Sequence, residues 1–326
     1  MANGRLEREL KAEEKMKRKL IGLPLIFTEF YYSLEGEGKS YTTLNNYINH
    51  TVDFMNYITG GKPSNIFYEN VKGTQINQYM ASIRRKNING EIVRLGDDIR
   101  AARWSSINAF FKFLKSNDYM SVNPMEKTKR PKIKTEHKVT YLNSDEITAV
   151  LDKIRSEASA KRVSRDLCIV SLALSTGLRV SAITQIDVDD IDIENNTISV
   201  IEKGEKIRAI RFGNNLRQLI IDCINDRQKC FSRVETNALF VSQWGTRMTP
   251  QAVRDLVSKY TGNIQGKHIT PHKLRASAAT NLAANGTSIQ AIASILGHEN
   301  IQTTRRYVEV LDKEKEDAIS ILDNLI

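Results

Sequence analysis

The chain has 326 residues, enough for two ordinary cores, and its 48 Lys and Arg against 38 Asp and Glu give a net charge of +10 at pH 7. With a pI near 9.4, that balance favours a polyanionic partner. Cys168, Cys223 and Cys230 form no C-x-x-C pair, which argues against a disulfide framework or a zinc site and for a reducing compartment.

Residues 1–20 are densely charged with both signs and lack the apolar run of a secretory signal. No stretch reaches the roughly 18 apolar residues of a membrane span, so a cytoplasmic protein without a membrane partner is expected. Residues 21–122 predict a helical bundle. Leu23–Leu34 reads as one helix, and Leu44, Tyr47, Ile48, Thr51, Phe54, Met55 and Ile58 recur at helical spacing behind a cap at Ser40 or Thr42, with Gly60-Gly61 closing the run. Thr74–Ile88 reads as a further helix, and Trp104, Ile107, Phe111 and Leu114 make another apolar stripe.

From Asn123 to Val139 the periodicity stops. Lys127, Lys129, Arg130, Lys132, Lys134 and Lys138 face only Glu126 and Glu136, which defines a basic linker over 123–139 whose cations are candidates for phosphate contact. A second domain then spans 140–310. Asn143-Ser144-Asp145-Glu146 resembles a helix start, Leu167–Leu174 is apolar nearly all round and ends at Gly177, and Ile198 and Val200 alternate into a turn at Lys203-Gly204-Glu205-Lys206 before Ile210 and Phe212 resume. Thr287-Ser288-Ile289-Gln290 reads as a capping box, and Gly297 stops that helix just before His298. Residues 311–326 form a tail in which Leu311, Ala318, Leu322 and Leu325 make an apolar stripe.

The last sixty residues carry the chemistry. His272 and Arg275 lie three apart on one helix face, His298 follows a glycine turn, and Tyr307 ends the series. A phosphodiester under attack develops charge on its non-bridging oxygens and needs fixed cationic donors, which a planar guanidinium supplies better than an ammonium. Arg275 and, upstream in Thr176-Gly177-Leu178-Arg179, Arg179 are the candidates. His272 and His298 suit proton transfer or phosphate binding, and Tyr307 suits attack on phosphorus to give a covalent phosphotyrosine. Lys203 at the hairpin tip is placed to protonate the departing 5′-oxygen, with Lys206 as its rival. Singly, each has an ordinary structural explanation. His268, before Thr270-Pro271, has no role in the scheme.

Other chemistries fit less well. Asp187, Asp189, Asp190, Asp192 and Glu194 crowd one short segment and read as strand-end and turn acids, not metal ligands. Gly262 to Lys267 has three residues between its glycines and no following Ser or Thr, so nucleotide hydrolysis is not supported. No metal and no cofactor is expected.

Taken in order, Thr176-Gly177-Leu178-Arg179, Glu202 to Arg208, His272-Lys273-Leu274-Arg275, Leu296-Gly297-His298 and Arg306-Tyr307 resemble the tyrosine recombinases of the phage-integrase family. The resemblance implies a mainly α chain. An N-terminal core-binding, SAM-like helical bundle, with its Lys39-Ser40-Tyr41-Thr42-Thr43-Leu44 helix start, would precede a mixed α/β catalytic domain, the two closing on duplex DNA as a clamp joined by the basic linker. It also implies that Arg179 and Arg275 clamp the scissile phosphate, Lys203 is the general acid, His272 and His298 assist, and Tyr307 forms the 3′-phosphotyrosine link. A tetramer on paired DNA sites, coupled through the C-terminal tail, follows from the same likeness. Accessory DNA-bending partners are left open.

One departure is plain: the family usually carries an acid three residues after the first arginine, where this chain has Ala182. The short segment 1–20 leaves no room for a separate arm-site domain, so the layout is nearer that of the Xer-type recombinases. A type IB topoisomerase and a non-catalytic DNA-binding protein are the alternative readings.

Overall fold

The computed structural model describes residues 10, 13–61, 68–88, 91–133, 139–201, 207–230, 234, 236–262, 264, 266–298 and 300–323. Two compact units result, Met1–Thr135 and Glu136–Ile326. The mainly helical chain with a small antiparallel sheet that the sequence implies is the fold found.

The first unit is built from α1 (Leu25–Gly36), α2 (Tyr41–Thr59), α3 (Gly73–Ser82), a hairpin of β1 (Arg85–Ile88) and β2 (Glu91–Arg94), and α4 (Asp97–Ser116). Helix α2 starts where the Ser40 hydroxyl accepts from the Thr43 amide, which satisfies one of the amides left without an intrahelical partner. Its apolar stripe meets those of α1 and α4 in an aromatic core. There Phe27 stacks on Phe110 at 5.4 Å and Phe30 meets the same ring edge-on at 5.1 Å, pairs that add about 0.5–1.5 kcal/mol each beyond area burial.

Two segments depart from expectation. Helix α3 stops at Ser82, and residues expected to continue it to Ile88 enter the hairpin, with Ile88 opposite Glu91. The sequence between these strands is Asn89-Gly90, a dipeptide favoured in two-residue hairpin turns. The charged ends are also less detached than their composition suggests. Met16 and Leu20 are buried in this core, and so is Met125, from the 3-10 turn Pro124–Lys127 that opens the basic stretch. Trp104 Nε1 donates to Thr128 Oγ1 and fastens the same segment.

The second unit begins on α5 (Ser144–Glu157), where Asn143 and Glu146 form the reciprocal cap that the sequence suggests. It continues through α6 (Val163–Thr176), α7 (Val180–Ile183), β3 (Ile191–Asp192), β4 (Thr197–Ile201), β5 (Ile207–Arg211), α8 (Asn214–Cys230), α9 (Pro250–Thr261), α10 (Pro271–Ala284), α11 (Ile289–Leu296) and α12 (Gln302–Asp323). The sheet runs β3-β4-β5, antiparallel throughout, with Ile198 opposite both Ile191 and Ile210. Alternation puts Ile198, Val200 and Ile210 into the core.

Helix α6 is buried nearly all round, including Asp166 at 3% exposure. That carboxylate accepts from Arg165 and from the Tyr260 hydroxyl, the pairing a buried charge requires. Helix α10 packs against α6 and α12, and its small Ala276 and Ala279 cluster with Tyr307 of α12. The entering chain is tied to it: the Leu142 amide donates to Ser277 Oγ and Asn281 Nδ2 donates to the Leu142 carbonyl. Helix α11 caps one residue later than the expected box, because Ser288 accepts from the Ala291 amide and alanine offers no return bond.

Candidate active site

Helix α6 ends at Gly177, whose φ of +61° lies in the left-handed region that a side chain disfavours. Space imposes the same choice, since a Cβ there would stand 2.3 Å from Leu296 Cδ2. The C-termini of α6 and α11 therefore close on each other at this glycine. Arg275, 2% exposed, joins them: Nη1 donates to the Gly177 carbonyl at 2.6 Å and Nη2 to the Leu296 carbonyl at 2.7 Å. A guanidinium placed against two helix C-termini meets the negative end of both dipoles.

Past Gly177 the chain turns outward. Arg179 caps α7 in extended backbone and is exposed. Ala182, three residues after Arg179, packs against the core of this unit.

His272 sits in the first turn of α10, behind the Thr270 cap and Pro271. Its side chain keeps contact with solvent, yet burial of the ring holds its pKa below the ordinary value, with Arg306, Arg275 and Arg179 adding repulsion in that order. His298 follows Gly297, where α11 ends left-handed at φ +64°. Its Nδ1 lies 2.7 Å from Thr304 Oγ1, which orients the ring. Burial first, then Arg275, Arg179, Arg306 and His272, push its pKa down to about 4. Both imidazoles are thus neutral near pH 7 and able to accept a proton.

Tyr307 lies on α12 at 1% exposure, packed with Ala276, Ala279, Ile292 and Leu296. Its ring lies 6.5 Å from that of His298 at an interplanar angle of 17°. The hydroxyl receives a hydrogen bond from Arg306 Nη2 at 2.8 Å. Arg179, Arg275, His272, His298 and Tyr307 thus meet in one place, brought there by the α6–α7 junction, α10 and the α11–α12 junction.

Lys203 and Lys206 lie outside the described residues, between β4 and β5, and Lys134 lies outside them as well. Lys127, Lys129, Arg130 and Lys132 are exposed in the first unit. The acids Asp187, Asp189 and Asp192 are engaged by Arg247, Asn237 and Asn195, and no metal-binding group of carboxylates, histidines and cysteines occurs among the described residues. His268 serves through its carbonyl, which accepts from Lys273 Nζ.

Two arginines go beyond the sequence reading. Arg208 of β5 donates from Nη1 to the carbonyls of Ser294 and Ile295 at 2.9 and 2.8 Å, holding the end of α11 that precedes His298. Arg306 is the hydrogen-bond partner of Tyr307 already described. Helix phase alone separates it from its neighbour Arg305, which turns outward to Glu309 at 3.2 Å.

Residues 140–314 match the Phage integrase family, more than half of the chain, and the chain belongs to that family. The tyrosine recombinase XerC of Vibrio vulnificus (strain YJ016) is 33% identical over 212 residues, 64% of this chain and 65% of that protein. The tyrosine recombinase XerD of Staphylococcus haemolyticus (strain JCSC1435) is 32% identical over 210 residues, 63% of this chain and 70% of that protein. The chain thus spans about two thirds of the length of these relatives. Among solved structures, the XerH site-specific recombinase bound to palindromic difH substrate in a post-cleavage complex has a TM-score of 0.67 at 22% identity, covering 87% of this chain and 81% of that one. The Tn1549 transposon integrase in complex with transposon right end DNA has a TM-score of 0.65 at 20% identity, covering 89% and 98%. Likeness at that identity extends to the fold.

Proposed function

We propose that this chain is a site-specific DNA recombinase that cuts and rejoins duplex DNA through a 3′-phosphotyrosine intermediate, acting in the cytoplasm as a tetramer on paired sites. The observation that carries this reading is the convergence of two arginines and two neutral imidazoles on the helix turn that bears Tyr307. The names of the XerC and XerD relatives support it.

In this reading Arg179 and Arg275 bind the non-bridging oxygens of the scissile phosphate and stabilise the charge that grows there. The Tyr307 oxygen attacks phosphorus, its proton passing to the neutral imidazole of His272. The bond from phosphorus to the 5′-oxygen breaks, and Lys203 supplies the proton that oxygen needs. His298, oriented by Thr304, hydrogen-bonds the phosphate. Attack by the 5′-hydroxyl of a partner strand reverses the steps and reseals the backbone. Because Tyr307 is covered, α12 yields when the phosphate enters. The first unit and the basic stretch with Lys127, Lys129, Arg130, Lys132 and Lys134 hold the flanking duplex.

A nicked suicide substrate tests the reading, since loss of the short cleaved strand traps the covalent complex. In EDTA the wild-type protein is expected to leave a protein–DNA adduct stable to denaturing electrophoresis, and Tyr307→Phe to leave none. Absence of the adduct with wild type overturns the mechanism, and its persistence in the Phe variant overturns the nucleophile.

A further inference from the structure

Arg306 is a cation of the site that the recombinase scheme leaves without a task, and its surroundings differ from those of Arg305, the other arginine on α12. Its Nη2 donates to the Tyr307 oxygen at 2.8 Å, and its guanidinium carbon stands 4.9 Å from the centroid of the same ring. Its Nε is buried and has no partner among the described residues. No carboxylate pairs with it among the described residues, whereas Arg305 beside it has Glu309. Arg179, Arg275 and Arg306 all act on both His272 and His298, and for His272 Arg306 ranks first among them.

A half-buried guanidinium with no carboxylate paired to it among the described residues is unfavourable unless negative charge arrives or develops beside it. Arg179 and Arg275 suffice to flank a phosphate. Arg306 faces the one oxygen that passes from neutral phenol to an atom bonded to phosphorus.

We propose that Arg306 is a catalytic residue of the recombination reaction, stabilising the negative charge on the Tyr307 oxygen as its proton leaves and its bond to phosphorus forms. The proposal rests on Tyr307 being the nucleophile. As the O–H bond breaks, the proton goes to His272, the oxygen–phosphorus bond forms, and the bond to the 5′-oxygen breaks with a proton from Lys203. Arg306 neither gains nor loses a proton, because guanidinium stays charged throughout. During resealing the same group stabilises the departing phenolate. Its work is therefore on the nucleophile and not on the leaving 5′-oxygen.

That placement makes the role separable from both folding and the leaving group. Cleavage of the nicked suicide substrate is compared for wild type, Arg306→Gln, Arg306→Lys and Lys203→Ala, with DNA affinity and thermal melting recorded for each. A second substrate carries sulfur at the bridging 5′ position, which departs without needing a proton. Arg306→Gln is expected to cleave about 10²-fold more slowly on both substrates, with affinity and melting close to wild type, and Arg306→Lys to recover part of the rate. Lys203→Ala is expected to be rescued by the sulfur.

Three results overturn the proposal: wild-type cleavage by Arg306→Gln, rescue of that variant by the sulfur substrate, or faster cleavage, which would make Arg306 a lock on the tyrosine. A defect matched by an equal fall in melting temperature in both Arg306 variants overturns it too. Failure of wild type to form any adduct instead sinks the recombinase reading, so the two failures are distinguishable.

Discussion

Arg179 and Arg275 were expected to do the same job, yet they occupy opposite physical states. Arg275 is 2% exposed and bonds the ends of two helices through the carbonyls of Gly177 and Leu296. Arg179 stands exposed at the cap of a four-residue helix, with no hydrogen bond or ion pair to it among the described residues. Arg275 is part of the frame that builds the site as well as a phosphate ligand in the proposed reaction, and Arg179 is an instrument mounted on that frame. Only one of the two guanidiniums therefore carries structure along with chemistry, a division that composition and spacing do not show.

Substitution of each should expose that division. Arg275→Ala leaves two buried carbonyls without these donors, at about 1–3 kcal/mol apiece, and opens space between α6, α10 and α11. The expected outcome is a loss of about 2–5 kcal/mol in urea-melt stability together with loss of DNA cleavage. Arg179→Ala removes an exposed side chain with no such partners, so stability should stay within about 0.5 kcal/mol of wild type. Its cleavage rate should nevertheless fall about 10²–10³-fold, the usual effect of deleting one transition-state donor. If Arg179→Ala melts like Arg275→Ala, or if Arg275→Ala keeps full stability, the contrast is wrong.

The parts legible in the sequence are those fixed by local chemistry. The Asn143–Glu146 cap, the Ser40 cap and the glycine stops at Gly177 and Gly297 depend on residues within one turn of each other, and each lies where the pattern puts it. The ordered series from Arg179 to Tyr307 was legible because its side chains are of a few reactive types. What escaped depends on partners far along the chain. The change from α3 to the β1–β2 hairpin is signalled by Asn89-Gly90, but the residues before that dipeptide keep a helical spacing past Ser82, where the helix stops. Met16, Leu20 and Met125 sit among charges in the sequence and are buried only because α1 to α4 leave places for them. Arg208 acts on carbonyls 86 and 87 residues away, and Arg305 and Arg306 are distinguishable only once the phase of α12 is set by Tyr307. The role of each arginine is a property of the assembled site.

The same contrast between buried frame and exposed instrument predicts a pH effect. His298 belongs to the frame: its ring is desolvated and faces three guanidiniums, and its pKa falls from 6.5 to about 4. As pH drops below 6.5 the unfolded chain binds a proton at this position that the native protein refuses until near 4. Unfolding is therefore favoured progressively across that window, and the stability present above 6.5 is lost through it. Water still reaches part of the ring, which limits the contribution to about 1 kcal/mol. His272, shifted in the same direction, adds to it. Urea melts of wild type and His298→Gln at neutral pH and near pH 5 isolate the effect, because carboxylate titration is common to both. The Gln variant, which can still hydrogen-bond Thr304, should lose less stability on acidification than wild type. Equal losses would mean that His298 titrates as an ordinary imidazole and that the guanidiniums around it do not set its charge.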